Sequence, residues 1–444
     1  MPLSEIKDKK VKIAAADLDG VLRGKYIHSK KFESGLKNGL GFCSVIFGWD
    51  SADACYDYVP FTGWHNGYPD ANLVLDESTY RVIPWDNNTP FFLGDFVTAQ
   101  NTPLSICPRQ VLKRTLARLK SAGFLATVGC EYEWFNFAET PKSLHEKKFT
   151  DITPLTPGMF GYSLIRSSQN HPYFSSLMEN LEAFSIPLEG IHTETGPGVY
   201  EAAICAGPAL EAADRALLFK TAVKEIAHKH DVVASFMSRW NTDLPGCGGH
   251  IHQSLTDLDG HPLFYDSRSP DGMSDLFKHF IAGQIKCLPH ILPMVAPTVN
   301  SYKRLVKGYW APTRANWGLD NRTCALRVIR GGEKSTRVEF RASGSDINPF
   351  LALAASLESG LYGISQKLAL EQKPVIGNGY QDESAEEFSE NLLSASEVFK
   401  NSEITRTLFD SEFIDHFYKT RVWEWQQYQK AVSDWELKRY FEII

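Results

Sequence analysis

The sequence predicts a protein of mixed helices and strands with more than one domain. A chain of 444 residues can bury a large core, and its 43% hydrophobic and 22% charged content is typical of a globular protein. Strand-like and helical segments both occur, and their pattern changes between Pro103 and Pro108. We therefore predict an N-terminal domain over residues 1–105 and a larger domain over residues 106–444.

The N-terminal domain is predicted to contain short strands and one long loop. Residues 11–27, VKIAAADLDGVLRGKYI, hold two short runs around an Asp-Gly turn, which is typical of a hairpin. RVIPW, at residues 81–85, is a further short apolar run. The stretch from Phe42 to Asp76 is rich in Gly, Asp, Tyr and Pro, which favours an ordered functional loop over a regular element.

Four segments of the larger domain predict helices. Residues 105–123 form an amphipathic pattern that ends at Gly123, and similar patterns cover residues 208–230 and 349–367. Residues 422–444 predict one long helix with a wide aromatic face, which indicates a contact between subunits. The aromatic residues of this face are Trp423, Trp425, Tyr428, Trp435, Tyr440 and Phe441.

Bulk properties argue against several classes of protein. The net charge is −7 and the basic residues form no dense block, so nucleic acid is not expected as a partner. The N-terminus lacks an apolar leader, and the most apolar stretch contains a lysine, a histidine and three prolines, which predicts no membrane span. Eight cysteines without CxxC spacing are typical of a reducing compartment. We expect a cytoplasmic protein.

The most informative feature is a set of isolated carboxylates between residues 131 and 339. A strand points residues i and i+2 to the same face, so Glu131 and Glu133 should share a face, as should His250 and His252. Glu339 has an arginine two residues away on either side, at positions 337 and 341. The set also includes Glu194 and Glu201.

This combination of residue types predicts a metal and phosphate site. Carboxylates with a single imidazole suit Mg²⁺ or Mn²⁺ better than zinc, which would favour more His or Cys. Arginines beside such a cluster indicate phosphate oxygens, which guanidinium binds bidentately. Any one Glu or Arg could be a solvated surface charge, but the whole set favours phosphoryl transfer.

Six segments together resemble the successive motifs of the glutamine synthetase family. They are GCEYEWF, ETGPGVYE, GCGGHIHQSL, NSYKRLVKGYWAP, NWGLDNRTCALRV and VEFRASGSDINPFLALAASLESGL. They occur in the family's order, and the resemblance covers nearly the whole chain. It implies an α+β fold, with an N-terminal β-grasp domain and a C-terminal antiparallel-sheet half-barrel surrounded by helices. It also implies that ATP phosphorylates the γ-carboxylate of glutamate and that an amine then displaces the phosphate.

The resemblance assigns roles to the matching residues. One metal site would consist of Glu133, Glu194 and Glu201, and a second of Glu131, His250 and Glu339, holding two or three Mg²⁺ or Mn²⁺ ions together with the substrates. The residues that would bind glutamate are Gly246, His250, Arg304 and Arg341. The residues that would neutralise the transferring phosphate are Arg322 and Arg327. The residues that would bind ATP are Glu189, His252, Ser254, Arg327, Lys334 and Arg337.

The departures from the family concern the incoming amine. The family's flap motif GYEAP is GYWAP here, so Trp310 replaces a glutamate that helps deprotonate ammonium. Pro245 and Val199 replace an Asn and a Gln of the family, which makes the pocket more apolar. We therefore predict a γ-glutamyl ligase for an organic amine, alkyl or aromatic, on which the indole could stack or make a cation–π contact of about 0.5–2 kcal/mol.

The N-terminal loop is expected to contribute to the same pocket from a neighbouring subunit. Asp50 and Asp53 are candidate bases in place of the flap glutamate. The aromatic residues expected to line the pocket are Phe42, Phe47, Trp49 and Tyr56. The resemblance implies a homo-oligomeric ring, commonly two stacked hexamers, with active sites between subunits.

Other functions stay open on the sequence. An ordinary glutamine synthetase that uses ammonia would need another acid in place of Trp310, and Trp310 would then be a packed flap residue. A structural or regulatory homologue is expected to lose metal ligands or phosphate-site arginines, and this sequence retains them. A guanidino kinase shares a similar catalytic fold, but the order of the motifs argues against it.

Overall fold

The N-terminal part of the chain forms a small mixed sheet. The computed structural model describes residue 6 and residues 10–444, and within that part the first strands make a six-stranded sheet. The strands are β1 (Lys10–Ala16), β2 (Leu22–His28), β3 (Leu40–Cys43), β4 (Asp70–Leu75), β5 (Arg81–Ile83) and β6 (Thr89–Val97). Their order is β2-β1-β6-β4-β3, with β5 beside β6 and β1 parallel to β6. Helix α1 (Ser29–Asn38) contacts β4 in this sheet. The hairpin predicted over residues 11–27 is thus confirmed.

The stretch predicted as a loop holds more regular structure than expected. The prediction was wrong for residues 70–75, which form β4 and pair with both β3 and β6. Leu73 and Leu75 alternate with less buried neighbours and point into the core, so the period of two prevails over the local turn-forming residues. Residues 44–69 contain one 3₁₀ turn at Ser44–Phe47 and an isolated bridge between Trp49 and Cys55, and are otherwise irregular with bends and turns.

A larger sheet occupies the second part of the chain. In the described residues it has nine strands, with the order β13-β14-β15-β12-β7-β9-β8, while β10 and β11 pair with β7. The strands are β7 (Leu125–Phe137), β8 (Leu188–Thr193), β9 (Val199–Ile204), β10 (Gly207–Pro208), β11 (Val233–Ser235), β12 (Gly249–Thr256), β13 (Trp317–Leu319), β14 (Leu326–Ile329) and β15 (Arg337–Phe340). Apart from the parallel pair β13–β14, the pairings are antiparallel. This agrees with the antiparallel half-barrel that the resemblance implies.

Helices surround this sheet. They are α2 (Pro108–Ser121), α3 (Pro141–Glu146), α4 (Leu164–Gln169), α5 (His171–Ala183), α6 (Ala209–His228), α7 (Asp275–Val295), α8 (Ser301–Arg304), α9 (Pro349–Ser365), α10 (Leu392–Asn401), α11 (Glu403–Leu408), α12 (Ser411–Lys430) and α13 (Asp434–Tyr440). Helix α9 packs against α2, α6 and α7, and it is buried along most of its length. The predicted helices over residues 105–123, 208–230 and 349–367 correspond to α2, α6 and α9. Among the described residues, no helix is long and apolar enough to cross a membrane.

The C-terminal segment is two helices rather than the one predicted. Helix α12 ends at Lys430, and α13 begins after Ser433, whose side chain accepts a hydrogen bond from the Glu436 N–H. The Glu436 carboxylate accepts one in return from the Ser433 N–H, so the pair forms a capping box that starts a new helix. The aromatic residues Trp435, Tyr440 and Phe441 are exposed, whereas Trp423 and Trp425 on α12 are half-buried.

A buried arginine connects helices α2 and α6 to the N-terminal sheet. Arg109, at the start of α2, is 3% exposed and binds Asp214 of α6 through two N–H groups, at 2.8 and 2.9 Å. Its third nitrogen lies 2.9 Å from Asp76 and 2.8 Å from Asp95, both in the N-terminal sheet region. Lys113, one turn further along α2, contacts the same two aspartates. We call these five residues the Arg109 cluster.

Candidate active site

A cavity of about 470 Å³ opens on one face of the larger sheet. Strands β7, β9, β12, β14 and β15 each point at least one charged side chain into it. The five glutamates that line it, which we call the cavity acids, are Glu131, Glu133, Glu194, Glu201 and Glu339. The histidines and arginines that line it are His192, His250, Arg304, Arg322, Arg327 and Arg341. The structure therefore brings together all six predicted metal ligands, the two predicted glutamate-binding arginines and the two predicted phosphate-binding arginines.

Strand register positions the first group of potential metal ligands. Glu131 on β7 lies directly opposite His250 on β12, and Glu339 on β15 lies one strand further. His250 Nδ1 is 3.2 Å from Glu131 Oε1 and 3.4 Å from Glu339 Oε1. One ligand atom from each residue lies within 4.8 Å of the others, so one ion could contact all three. This is the grouping predicted for the second metal site.

The other group includes a histidine that was not predicted. Glu194 and Glu201 lie with His192, whose Nδ1 is 3.8 Å from Glu194 and whose Nε2 is 3.6 Å from Glu201. Glu133 faces Glu201 across β7 and β9, and its Oε2 accepts a 2.7 Å hydrogen bond from the Gly248 N–H. His192 precedes Glu194 by two residues, so the same spacing that aligned Glu131 with Glu133 could have identified it.

The pKa values of Glu201 and Glu131 shift in opposite directions. Burial raises the pKa of Glu201 to about 8; the hydrogen bond with His192 opposes this rise, while the charges of Glu133 and Glu131 add to it. Burial would also raise the pKa of Glu131, but hydrogen bonds to His250 and His252 lower it well below its usual range. Repulsion among these acids is what a bound divalent cation would relieve, and oxygen donors with imidazole fit Mg²⁺ or Mn²⁺.

The arginines are held in place by backbone oxygens and by Glu339. The buried Arg304 donates to the carbonyls of Ala342 and Arg341, each at 3.2 Å. A Cβ on Gly246 would lie 2.9 Å from the Arg304 Cγ and 2.4 Å from a backbone oxygen, so this close approach requires glycine. Arg341 and Arg327 each donate to one oxygen of Glu339, the Arg327 contact at 2.8 Å. Two guanidinium groups therefore lie beside a potential metal ligand.

Trp310 lies at the edge of the cavity in a strained backbone conformation. It belongs to the segment 305–313, which we call the flap, and has a φ of 65° that bulky residues rarely adopt. Its side chain is 57% exposed, and its carbonyl oxygen lies 3.5 Å from an Arg341 nitrogen. Such conformations persist where the surroundings enforce them, and they cluster at functional sites. An exposed indole thus borders the acids and arginines.

Tyr162 and Tyr309 are cavity residues that the sequence did not reveal. Tyr162, in the loop before α4, stacks on His192 with ring centroids 4.3 Å apart. Tyr309 precedes Trp310 in the flap, and the Arg239 guanidinium lies 4.4 Å from its ring centroid. Neither tyrosine stands in a strand pattern, so no periodicity points to it. With Trp310 they give the cavity three aromatic side chains.

A second cavity, of about 320 Å³, adjoins the first at Glu131, which lines both. The residues predicted to bind ATP that line it are Glu189, His252, Ser254, Lys334 and Arg337. Arg337 Nε lies 3.2 Å from His252 Nδ1, across strands β15 and β12. The predicted nucleotide residues are thus neighbours, while Arg327 lines the first cavity instead.

The N-terminal loop lies outside the cavity of its own chain. Asp50 accepts hydrogen bonds from the Ala52 and Ala54 N–H groups and from the Trp423 indole at 3.0 Å. Asp53 pairs with Arg23. A role for either aspartate in catalysis therefore requires a second copy of the chain.

The prediction that aromatic residues of this loop line the amine pocket is wrong for three of the four. Phe42 and Phe47 pack against Phe96 in the core of the small sheet, and Tyr56 packs edge-on against Trp423. All three are buried in their own chain. Their apolar surface stabilises the fold and is not free to face a neighbouring subunit. Trp49 is partly exposed and lies under Arg23.

Comparison with known proteins is consistent with this geometry. Residues 105–440 match the glutamine synthetase catalytic domain family. Type-1 glutamine synthetase 2 of Dictyostelium discoideum is 53% identical over 100% of this chain and 86% of its own length. Glutamate–isopropylamine ligase of a Pseudomonas species is 36% identical, covering 98% and 95%. Gamma-glutamylethanolamide synthetase of Streptomyces coelicolor is 34% identical, covering 97% and 92%.

The overall shape agrees with the same family. A solved GmaS/ADP complex superimposes with a TM-score of 0.86 at 26% identity, over 99% of this chain and 98% of that one. The N-terminal sheet and the half-barrel are thus both shared with a solved structure. The family match spans most of the chain, and relatives above 30% identity cover nearly all of it. The chain therefore belongs to the glutamine synthetase family and is an ATP-dependent carbon–nitrogen ligase.

Proposed function

We propose that this ligase joins the γ-carboxylate of L-glutamate to an organic amine through γ-glutamyl phosphate. The observation that supports this most directly is Trp310, an exposed indole at the edge of the cavity where the family's flap has a glutamate. One relative is named for the amine isopropylamine and another for γ-glutamylethanolamide, the amide of ethanolamine, and each alignment covers nearly all of this chain. The cavity acids and arginines supply the shared chemistry, and Trp310 would select the amine.

The phosphoryl-transfer half of the reaction uses the charged residues. The cavity acids with His250 and His192 would hold two or three Mg²⁺ or Mn²⁺ ions, which neutralise phosphate oxygens when bound. Glu189, His252, Ser254, Lys334 and Arg337 would bind ATP in the adjoining cavity. Arg322 and Arg327 would offset the charge of the phosphate as it moves from ATP to glutamate.

Glutamate would be held by buried guanidinium groups. Arg304 and Arg341 are both buried and both line the cavity, so a carboxylate reaching them would be shielded from water. Arg304 already has two carbonyl partners, and these fix its orientation before substrate binds. Gly246 would add a backbone contact. Holding the acid at two points would leave its γ-carboxylate facing the metal and phosphate residues.

The amine step requires a neutral nitrogen. An alkylammonium would first give one proton to a base, for which Asp50 of a neighbouring copy is the candidate. The neutral nitrogen then forms a bond to the acyl carbon, and the bond from that carbon to the phosphate oxygen breaks. Phosphate leaves with the electron pair of that bond and takes up the proton that the nitrogen loses. Alkylamines have pKa values near 10 and reach the site mainly as cations, which the Trp310 ring would attract at about 0.5–2 kcal/mol. Aromatic amines are neutral at pH 7 and would stack on the indole. In either case the indole substitutes for a carboxylate that binds ammonium.

We further propose that the sites are completed by assembly into a homo-oligomeric ring, commonly a dodecamer in this family. The exposed apolar residues of the C-terminal segment, with Trp435 and Phe441 among them, support a subunit contact there. Asp50 of a neighbouring copy would then be the candidate base. Light scattering of the unaltered chain and of Phe441→Ser tests this; a monomer with full activity would contradict it.

The direct test is phosphate release from ATP with Mg²⁺ and L-glutamate across a panel of amines. The panel contains ammonium, alkylamines, polyamines, ethanolamine and aniline-type amines. Strong stimulation by one organic class, with little by ammonium, is the expected result. Stimulation mainly by ammonium would contradict the proposal and identify a glutamine synthetase whose base lies elsewhere.

Replacing Trp310 by glutamate tests whether Trp310 selects the amine. Trp310→Glu restores the family's flap acid, so we expect the ratio of kcat/KM for ammonium to that for the organic amine to rise about tenfold or more. Trp310→Phe keeps an aromatic face and is the matched control, with a smaller change in that ratio. An unchanged ratio in Trp310→Glu would show that Trp310 does not select the amine.

A second candidate is an ordinary glutamine synthetase. The relative with 53% identity is named a type-1 glutamine synthetase, which favours this alternative. Under it, Trp310 would shield the acyl phosphate from water, and Asp50 or another acid would accept the proton of ammonium. The amine panel separates the two candidates, because only the organic-amine ligase responds more to organic amines than to ammonium.

A further inference from the structure

A separate cavity lies on the outer side of Trp310. Its volume is about 640 Å³, and it shares two residues, Trp310 and Arg322, with the cavity of the metal and phosphate residues. The apolar residues that line it are Trp310, Leu319, Pro374, Val375, Ile376 and Gly377. Its polar residues are Asp320, Asn321, Arg322 and Thr323. The indole of Trp310 therefore borders a charged cavity and a mainly apolar one.

The outer wall of this cavity is fixed by hydrogen bonds. The Val375 N–H donates to the Trp317 carbonyl at 2.9 Å, which attaches the segment 374–377 to strand β13. The Asn321 side chain donates to the Gly377 carbonyl at 2.8 Å and to the Val375 carbonyl at 3.3 Å. The segment is thus attached on both sides of Ile376. A cavity with such a wall is formed before any ligand arrives.

Ile376 is the most exposed large hydrophobic side chain among the described residues. It is 96% exposed, although the backbone on either side of it is attached to the protein. An isoleucine that fixed neighbours hold in water lacks the stabilisation that burial of its side chain would contribute. It lines the outer cavity together with Val375 and Leu319. An apolar ligand in that cavity would cover part of this surface.

Among the described residues that line the outer cavity, Asp320 is the one acid, and it is paired with Arg327, which lines the adjoining cavity of the metal and phosphate residues. Asp320 Oδ1 accepts hydrogen bonds from two Arg327 nitrogens, at 2.9 and 2.6 Å, and hydrogen bonding to Arg327 lowers the pKa of Asp320 below its ordinary value. Arg322 adds a further positive charge. A ligand with a second ammonium group would gain little from an aspartate whose charge Arg327 offsets. The wall therefore favours an apolar chain.

We propose that the outer cavity binds the organic group of the amine, and that this group is an apolar alkyl chain of about three carbons or more. This inference rests on the proposed amine ligase function. The nitrogen of the amine would reach past the edge of the Trp310 ring to the acyl phosphate, while the chain stays against Leu319, Val375 and Ile376. The length of the chain, in addition to the basicity of the nitrogen, would then decide the affinity.

The test is the dependence of KM on chain length from ethylamine to hexylamine, in the unaltered enzyme and in Ile376→Ser. Because Ile376 is 96% exposed, its replacement should leave the fold unchanged. Ethylamine, whose chain is the shortest of the series, should show the smallest change in KM. We expect KM for butylamine and hexylamine to rise about three- to tenfold, while KM for glutamate and ATP stays constant. Ile376→Phe, which adds apolar surface, should lower KM for hexylamine.

A matched control is Leu258→Ser, which removes an exposed aliphatic side chain from the turn after β12. It should change none of these constants. If Ile376→Ser raises KM equally for all amines, or for none, while the unaltered enzyme does use organic amines, this inference is overturned and the proposed function stands. If no organic amine stimulates phosphate release in the unaltered enzyme, both are overturned.

Discussion

Two groups of buried charged residues in this protein differ in how many cationic groups lie beside their acids. In the Arg109 cluster, one guanidinium and one ammonium group lie among three aspartates, and Arg109 touches all three at 2.8–2.9 Å. In the catalytic cavity, Glu194 and Glu201 share a single imidazole, that of His192. Burial would raise the pKa of Asp76, but the hydrogen bond from Ser78 and the charge and hydrogen bond of Arg109 lower it below its ordinary value. Burial instead raises the pKa of Glu201 to about 8.

The difference distinguishes carboxylates that stabilise the fold from carboxylates that would bind a ligand. The Arg109 cluster joins α2, α6 and the N-terminal sheet, and each of its three aspartates accepts a hydrogen bond from Arg109. Among the cavity acids, Glu339 is satisfied in the same way by Arg327 and Arg341. The acids near His192 would be satisfied by a divalent cation. A carboxylate with a protein partner should therefore affect stability, and one awaiting a cation should affect activity.

The largest expected effect is the loss of Arg109. Arg109→Ala would leave buried aspartates without their main cation, which costs about 3–5 kcal/mol. We expect the midpoint of thermal unfolding to fall sharply, or the chain to fail to fold, while the kcat of any folded fraction stays within a few-fold of the unaltered enzyme. Arg109→Lys keeps the charge and should lose less. A stable Arg109→Ala protein with low kcat would place this cluster in catalysis and break the comparison.

Removal of a cavity acid should lower kcat and leave the stability of the metal-free protein unchanged or higher. Burial raises the pKa of Glu201 to about 8, so folding of the metal-free protein at neutral pH carries the cost of protonating it. Glu201→Gln places a neutral amide there without that cost, so the metal-free protein should unfold at an unchanged or higher temperature. We expect kcat to fall about 100-fold or more, since even partners that only orient metal ligands are worth 10–100-fold. The rise in unfolding temperature on adding Mg²⁺ should shrink as well. Full activity in Glu201→Gln would show that Glu201 holds no metal.

The sequence predicted the cavity better than the Arg109 cluster, and the reason is spacing. Glu131 and Glu133, or His250 and His252, lie two residues apart in strands, so their shared face is visible in the sequence. Arg109 gives no such signal, because its partners lie 33, 14 and 105 residues away in three other elements. Charge pairs made by tertiary folding have no local period. They look like ordinary surface charge until the chain is folded.

The errors in the fold have local causes that could be recognised in other sequences. The break in the C-terminal helix follows the pattern Ser-x-x-Glu at residues 433–436, a capping box that signals a new helix start. The strand at residues 70–75 was obscured by the Gly- and Pro-rich loop before it. The aromatic residues of that loop were assigned to the pocket by resemblance, but Phe42 and Phe47 serve the core of the small sheet. Composition alone does not distinguish an aromatic residue of a substrate pocket from one of the core.

One buried glutamate lies outside both the Arg109 cluster and the catalytic cavity, and it should have a smaller, pH-dependent effect on the free energy of unfolding. Glu358 of α9 is buried, and burial raises its pKa to about 7 although Arg118, whose nitrogen is 3.0 Å away, and Thr115 oppose the rise. Asp410 adds to the rise. The folded protein thus keeps the proton up to about pH 7, while the unfolded chain loses it near the ordinary value of 4.5. This contribution to stability is present below pH 4.5 and is lost as pH rises through 7.

Glu358→Gln should remove that pH dependence. The difference in free energy of unfolding between variant and unaltered protein should grow in favour of the variant from pH 4.5 to 7, by about 1.4 kcal/mol for each unit of the pKa shift, and level off above it. Thermal unfolding at pH 5, 6, 7 and 8 measures this. A constant difference across that range would mean that Arg118 satisfies Glu358 fully, as Arg109 satisfies its aspartates.

The smallest effect on stability is expected for an exposed pair of charges. Its size decides whether burial or charge pairing causes the large loss of stability expected at Arg109. Lys142 and Glu146 lie one turn apart on α3, 3.7 Å from each other, with side chains 83% and 65% exposed. Water screens such a pair, so Glu146→Gln should change the free energy of unfolding by less than about 0.5 kcal/mol and leave kcat unchanged. It also serves as the control for Glu201→Gln and Glu358→Gln, because the chemical change is the same. If Glu146→Gln cost more than about 1 kcal/mol, pairing alone would stabilise this protein, and the large effect expected at Arg109 could not be attributed to burial.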